Sequence, residues 1–218
     1  MLQNDSVKTM RPRYAGKNKD KERKEIIVAA AALFFSDGYE STSIERIAES
    51  IGCTKGRIYH YYDSKADILF DVHREVMELN INQMAEAVEG ISDAMERFRA
   101  MLYAHIRLIM NHLPMQAVWA QGVERHVRGR TTPEQREMLT RLIGLRDTYE
   151  NLFVAAIENG MESGQLRKAN PRHVAKVVLG GLNWMTLWYR PREKETTDER
   201  LKLADSMIAV ILEGARTR

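Results

Sequence analysis

The sequence predicts an all-α protein, and three observations carry that expectation. Apolar residues recur at intervals of three and four in segment after segment. Ser, Thr, Asn and Asp stand where such segments begin, and Gly or Pro where they end. No run alternates apolar and polar residues between turn signals, as a half-buried strand would. About nine helices are expected on these signals.

Residues 1–20 lack apolar periodicity and contain Pro12, Gly16 and five Lys or Arg, which reads as a flexible basic arm. Helical spacing starts at about Lys21, with Ile26, Ala29, Ala30, Leu33 and Phe34 on one stripe. It stops at Asp37-Gly38, where glycine can take the left-handed conformation that ends a helix. Thr42 and Glu45 form a capping-box pattern for a short helix burying Ile44, Ile47, Ala48 and Ile51. Gly52 breaks it, and Thr54 can cap a second short helix running to about Tyr62. Ser64, with Asp67 in the first turn, opens a long fourth helix through Ile68, Leu69, Val72, Val76 and Leu79 to about Glu89.

Residues 92–112 and 115–127 follow as helices parted at Pro114. Thr132-Pro133-Glu134-Gln135 supplies a cap, a proline at the first position and a box partner. The stripe that follows runs through Leu139, Leu142, Leu145, Tyr149, Leu152, Phe153 and Ile157 until Gly160 and Gly164. Asn170-Pro171 opens a helix closed by Pro191, and Thr196 with Glu199 opens the last. The expected organisation is an arm over 1–20, a helix-turn-helix unit over 21–65, and a helical body over 66–218.

Composition narrows the classes. The chain has 218 residues, 44% hydrophobic and 29% charged, as an ordinary globular protein does. Its longest unbroken apolar run, Ile26 to Phe35, is half the ~20 residues a bilayer span needs. No secretory signal is visible in the first 24 residues, and the single Cys53 excludes a disulfide framework, so the cytoplasm is the expected compartment. Net charge is +3, and all of it sits in residues 1–65, which carry 12 basic against 9 acidic side chains. A basic N-terminal third on a neutral body fits a polyanion-binding head attached to something else, and equally a solvated tail.

The segment Thr42 to Lys65 is the most informative. Two short helices joined by a glycine-containing turn and held by Ile47, Ala48, Ile51 and Ile58 describe a helix-turn-helix. Neither is stable alone, since ~12–15 residues are already marginal in water. Such a unit places the leading end of its second helix in the major groove. Thr54, Lys55 and Arg57 stand there, and Gly56 lets backbone approach closely. Arginine is the commonest base reader, through two hydrogen bonds to guanine. His60 and the hydroxyls of Tyr59 and Tyr61 can reach phosphate or base, Lys65 adds a charge at the far end, and Tyr62 reads as a core aromatic. Tyr59 fits the core and the surface equally well.

Residues 22–70 resemble the DNA-binding domain of the TetR/AcrR family of bacterial transcriptional regulators. The match lies in the Ile26–Phe35 helix with Gly38, Thr42-Ser43-Ile44 with Ile47-Ala48, Gly52, and the run Lys55-Gly56-Arg57-Ile58-Tyr59-His60-Tyr61-Tyr62-Asp63-Ser64-Lys65 with Leu69. Two positions depart from the family pattern: Tyr62, usually phenylalanine, and Asp63, often proline. The resemblance implies that Thr42, Lys55, Tyr59, His60 and Lys65 hold phosphates while Thr54, Gly56 and Arg57 face bases, with Ser43 beside them. It also implies a homodimer on a palindromic double-stranded DNA operator, with residues 171–190 and 197–215 pairing across a two-fold axis. Gly180-Gly181 inside the first of these would cost ~1 kcal/mol each relative to alanine, which close helix–helix approach could offset.

Asn183-Trp184-Met185-Thr186-Leu187-Trp188-Tyr189-Arg190-Pro191 is similar to a helix end in members of that family that respond to acyl-CoA thioesters. That similarity implies a small-molecule effector bound in the body. The candidate effector-binding residues are Met101, His105, Trp119, Tyr149, Phe153, Asn183, Trp184, Leu187, Trp188 and Arg190. Arg125, Arg128 and Arg130 cluster near His126 and could grip phosphates, or simply be solvated. A lipophilic cation, with control of an efflux pump, is the alternative effector; few acidic residues near the aromatic segment weigh against it. No metal-ligand pattern, glycine-rich phosphate loop or nucleophile–base pair is found, so no cofactor, metal or enzymatic activity is expected.

Overall fold

The computed structural model describes residues 17–122 and 132–215. Among them are ten helices and no strand: α1 (Lys17–Ser36), α2 (Ile44–Ser50), α3 (Lys55–Tyr59), α4 (Lys65–Ala87), α5 (Ala94–Asn111), α6 (Leu113–Ala120), α7 (Pro133–Glu162), α8 (Pro171–Asn183), α9 (Met185–Trp188) and α10 (Thr197–Ala215). The all-α expectation holds.

Side-chain caps set most starts. The hydroxyls of Thr54 and Ser64 accept from the backbone N–H of Arg57 and Asp67, and Asp93 and Asn170 do the same for α5 and α8. Thr132 and Gln135 complete a reciprocal capping box on α7, and Thr196 and Glu199 do so on α10. Each such cap is worth ~1 kcal/mol. Gly52, at φ 65°, makes the turn between α2 and α3 in a backbone region that costs side-chain-bearing residues strain.

Several boundaries differ from the sequence expectation. Helix α1 is already formed at Lys17 rather than Lys21. Ser43, not Thr42, caps α2, because the Thr42 hydroxyl turns inward and donates to the carbonyls of Gly38 and Leu33. The chain breaks at His112, and Pro114 lies in the first turn of α6, where a missing N–H costs nothing. Helix α7 continues past Gly160 to Glu162.

The expected helix over 170–190 is cut at Asn183–Trp184. There the Thr186 hydroxyl donates to the Asn183 carbonyl at 2.8 Å, while the Leu187 N–H goes to Trp184 instead. A local side-chain bond has replaced a backbone one, next to two glycines that weaken the helix.

One apolar core unites head and body. It runs from Ile26, Ile47, Ile58 and Leu69 through Val72, Phe98 and Phe153 to Leu182 and Ile208. Helix α4 is its axis, packing on α1, α5, α6 and α7, and α1 also packs on α6. The head therefore cannot shift on the body without α4 and α6 shifting too.

Candidate nucleic-acid interface and effector pocket

The start of α3 faces solvent. Thr54, Lys55, Gly56, Arg57, Tyr59 and His60 are exposed, as is Ser43 at the start of α2, whereas Ile58 is fully buried and pins the helix to the core. A Cβ on Gly56 would meet only the Thr54 hydroxyl, at 3.9 Å, so nothing inside the chain requires glycine there. Carboxylates hold the cations ready: Arg57 pairs with Glu22 at 3.2 Å, and Lys55 pairs with Glu45. The Tyr61 hydroxyl donates to Glu22 at 2.6 Å; that bond, joined by Arg57's, keeps the Glu22 carboxyl below its ordinary range.

Three sequence candidates point inward. Thr42 is 1% exposed and braces the α1–α2 turn. Tyr61 is buried, its ring in the core and its hydroxyl on Glu22. The Lys65 ammonium donates to the carbonyls of Tyr39, Glu40 and Thr42, at 2.6, 3.2 and 2.8 Å, and so holds the turn before α2 against the first turn of α4. These side chains shape the head rather than extend from it, because buried or half-buried polar atoms take the nearest internal partner.

Beneath the interface lies an ion network that the sequence did not reveal. Arg23 donates to Asp71 at 2.6 Å and to Glu75 at 2.9 Å, Arg74 also bonds Asp71, and the Tyr62 hydroxyl donates to Asp71 at 2.7 Å. Burial opposes ionisation of Asp71, yet Arg74 and Arg23 hold its carboxyl below the ordinary range. Tyr62 is thus the expected core aromatic, and the hydroxyl that departs from the family pattern ties α3's far end to α4. Asp71 and Glu75 lie 48 and 52 residues from Arg23, spacings no local pattern encodes.

In the body, α4, α6, α7 and α8 line a half-open pocket of about 210 Å³. Its lining comprises His73, Met77, Trp119, Ala120, Gly122, Leu142, Ile143, Arg146 and Asn183. Behind Asn183 stands a buried polar chain: His105 Nε2 lies 3.0 Å from Asn183 Oδ1, and Nδ1 lies 2.7 Å from the Tyr149 hydroxyl. Phe153 packs edge-on against both rings. Burial pushes the His105 imidazole down to about 4 and raises the Tyr149 hydroxyl, so both are neutral at pH 7.

The effector candidates divide accordingly. Trp119 and Asn183 line the pocket, and His105, Tyr149 and Phe153 support it from behind. Met101 is buried in the core away from the lining. Trp184, Leu187 and Trp188 are exposed and do not line the pocket. Arg190 is exposed and lies over the Phe35 ring, 5.6 Å from its centroid. His73, Met77, Leu142 and Arg146 were missed; His73 and Met77 stand four apart on α4's inner face, a signal the apolar stripe concealed. Arg125, Arg128, Arg130 and His126 lie outside the described residues. No cluster of three or more metal-ligating side chains occurs among the described residues.

A second, open groove of about 640 Å³ runs between α8 and α10, lined by Val174, Val177, Val178, Met207, Val210 and Ile211 among others. Val177 and Val210 are 76% and 71% exposed.

Comparison with known proteins agrees with this architecture. Residues 26–72 match the family model described as bacterial regulatory proteins of the tetR family, and residues 92–215 match the tetracyclin repressor-like C-terminal domain. The transcriptional repressor KstR2 of Rhodococcus jostii is 24% identical over 197 residues, covering 90% of this chain and 92% of that protein. The structure of the TetR-family regulator PfmR from Thermus thermophilus superposes with a TM-score of 0.73 at 29% identity, over 86% of this chain and 97% of PfmR. The structure of AibR in complex with isovaleryl coenzyme A and operator DNA has the same fold, with a TM-score of 0.72 at 24% identity over 86% of this chain and 96% of AibR. Head, body and both family matches agree: the chain belongs to the TetR family of bacterial transcriptional regulators.

Proposed function

We propose that this protein is a homodimeric repressor that reads a palindromic operator with α3 and is released from it by an acyl thioester bound in the α4–α6–α7–α8 pocket. The observation that carries the reading is the exposed leading end of α3, where Thr54, Lys55, Gly56 and Arg57 project from a helix whose other side is sealed by Ile58. Arg57 is the base reader, and Lys55, Tyr59, His60 and Ser43 are placed for phosphates. Contact with DNA exchanges the Glu22 and Glu45 carboxylates for phosphate and guanine, so the intramolecular pairs keep the cations extended without burying them.

The α8–α10 groove is the dimer seam. Its exposed valines would be an unusual surface for a lone chain, and a second copy of the same face covers them. Gly180 and Gly181 have nothing within 4 Å of a built Cβ in the single chain, which leaves their surfaces open for a partner helix. Such a dimer presents two reading helices ~34–36 Å apart, one turn of DNA.

Release follows from the core's connectivity. An effector against His73 and Met77 presses on α4, and one against Trp119 presses on α6. Helix α4 carries the head through Arg23–Asp71, Tyr62–Asp71 and the Lys65 anchor, and α6 carries it through its packing on α1. A coupling of ~1–3 kcal/mol suffices to change operator affinity 5–150-fold. The complex of AibR with isovaleryl coenzyme A supports the thioester class. Among the described residues the pocket lining holds Arg146 and no carboxylate, which disfavours a cationic effector. The test is selection of DNA from a random pool, followed by salt titration of the winning site: affinity should fall steeply as salt rises. Absence of any selected sequence would refute the reading.

A further inference from the structure

We infer that Asn183 donates its side-chain amide to the effector's carbonyl oxygen, and that the half-open pocket itself holds about seven heavy atoms of the acyl group, taking ~30 Å³ per water-sized group. The inference rests on the acyl-thioester reading above and narrows it to short chains.

The donor follows from tracing protons through the buried chain. Tyr149 is 1% exposed, and its hydroxyl has a single hydrogen-bond neighbour among the described residues, His105 Nδ1 at 2.7 Å. A buried O–H needs an acceptor, so Tyr149 donates and Nδ1 accepts. The imidazole proton then sits on Nε2, 3.0 Å from Asn183 Oδ1, which must accept it. The opposite tautomer would leave the Tyr149 proton buried with no acceptor. Asn183 Oδ1 is thus committed inward, and its NH2 group, with no partner among the described residues, is left for the pocket that Asn183 lines.

The rest of the lining says what the amide meets. Met77, Trp119, Ala120, Leu142 and Ile143 offer apolar surface, which suits an alkyl chain. A carbonyl oxygen on that chain matches the amide donor, and a chain without one leaves the donor desolvated and unmatched. Hexanoyl, with seven heavy atoms, fills the space; palmitoyl exceeds it more than twofold. Arg146, half exposed at the pocket, stands where the remainder of the molecule would leave.

The test uses the full-length protein on its selected operator, followed by fluorescence anisotropy, with butyryl-CoA, hexanoyl-CoA, palmitoyl-CoA and the thioether hexyl-CoA as probes. Butyryl- and hexanoyl-CoA should release the operator, palmitoyl-CoA should need at least about tenfold more, and hexyl-CoA about tenfold more than hexanoyl-CoA. In Asn183→Leu the two six-carbon probes should become equivalent. The wild-type comparison stands even where that variant fails to fold. Palmitoyl-CoA acting as well as hexanoyl-CoA overturns the size limit, and hexyl-CoA acting as well overturns the role of Asn183; both leave the operator and coenzyme A reading intact. Release by none of the four overturns the acyl-thioester reading, and this inference with it.

Discussion

Lowering the pH from 7.5 to 4.5 should weaken the fold through one histidine in particular. His105 has 6.5 as its ordinary value and about 4 in the core, where burial penalises the imidazolium more than its bond to Asn183 favours it. The unfolded chain therefore takes up a proton below 6.5 that the native state refuses. Stability is fully present above 6.5 and is lost as pH falls through the window from 6.5 to about 4. The gap is worth ~3 kcal/mol at ~1.36 kcal/mol per pH unit. The loss should reach ~1.4 kcal/mol at pH 5.5 and ~2.5 kcal/mol at pH 4.5. The assay is urea unfolding of wild type and His105→Gln across this range, at fixed protomer concentration because dimerisation shifts apparent stability. His105→Gln should start less stable and lose less, so the two curves converge on acidification. Parallel curves would refute the argument, and with it the neutral tautomer on which the Asn183 donor depends.

Other perturbations address the remaining elements. Arg57→Ala should relax base preference at a cost of ~1–3 kcal/mol for the best operator, measured across operator variants; unchanged selectivity would remove Arg57 as reader. Lys65→Ala should destabilise the head by ~1–3 kcal/mol, seen in urea unfolding, because three carbonyls lose a charged donor. Unchanged stability with weaker binding to all DNA would instead return Lys65 to phosphate contact. Val177→Glu and Val210→Glu should each shift the protein from dimer to monomer in analytical ultracentrifugation, since a carboxylate in an apolar seam is costly to desolvate; dimers at unchanged affinity would place the seam elsewhere. Tyr62→Phe should cost ~1 kcal/mol in unfolding through loss of its bond to Asp71, and no change would show that Arg23 and Arg74 satisfy the carboxylate alone.

Local chemistry was legible along the chain wherever a residue acts on near neighbours. The all-α class, the Thr132–Gln135 and Thr196–Glu199 boxes, the Gly52 turn and the exposed Thr54–Arg57 end depend on residues within a few positions of each other. Periodicity also separated Ile58, which is buried, from Arg57, which is not. Where two local partners compete, reading residues in order misjudged the winner. Ser43 took the cap expected of Thr42, and Thr186 broke a helix that the apolar spacing carried through to Arg190.

Charge excess, helical stripes and the reading helix therefore belong to the sequence by itself, because each is a property of one segment and its solvent. The folded chain decided what those segments meet. It turned Thr42, Tyr61 and Lys65 inward, brought Arg23 to Asp71 and Glu75, and set Asn183 between His105 and the pocket while Trp184, its neighbour, faces out. Such pairings join residues tens of positions apart, and burial then makes their hydrogen bonds obligatory. Spacing along a chain carries no record of which distant partner a desolvated group will find.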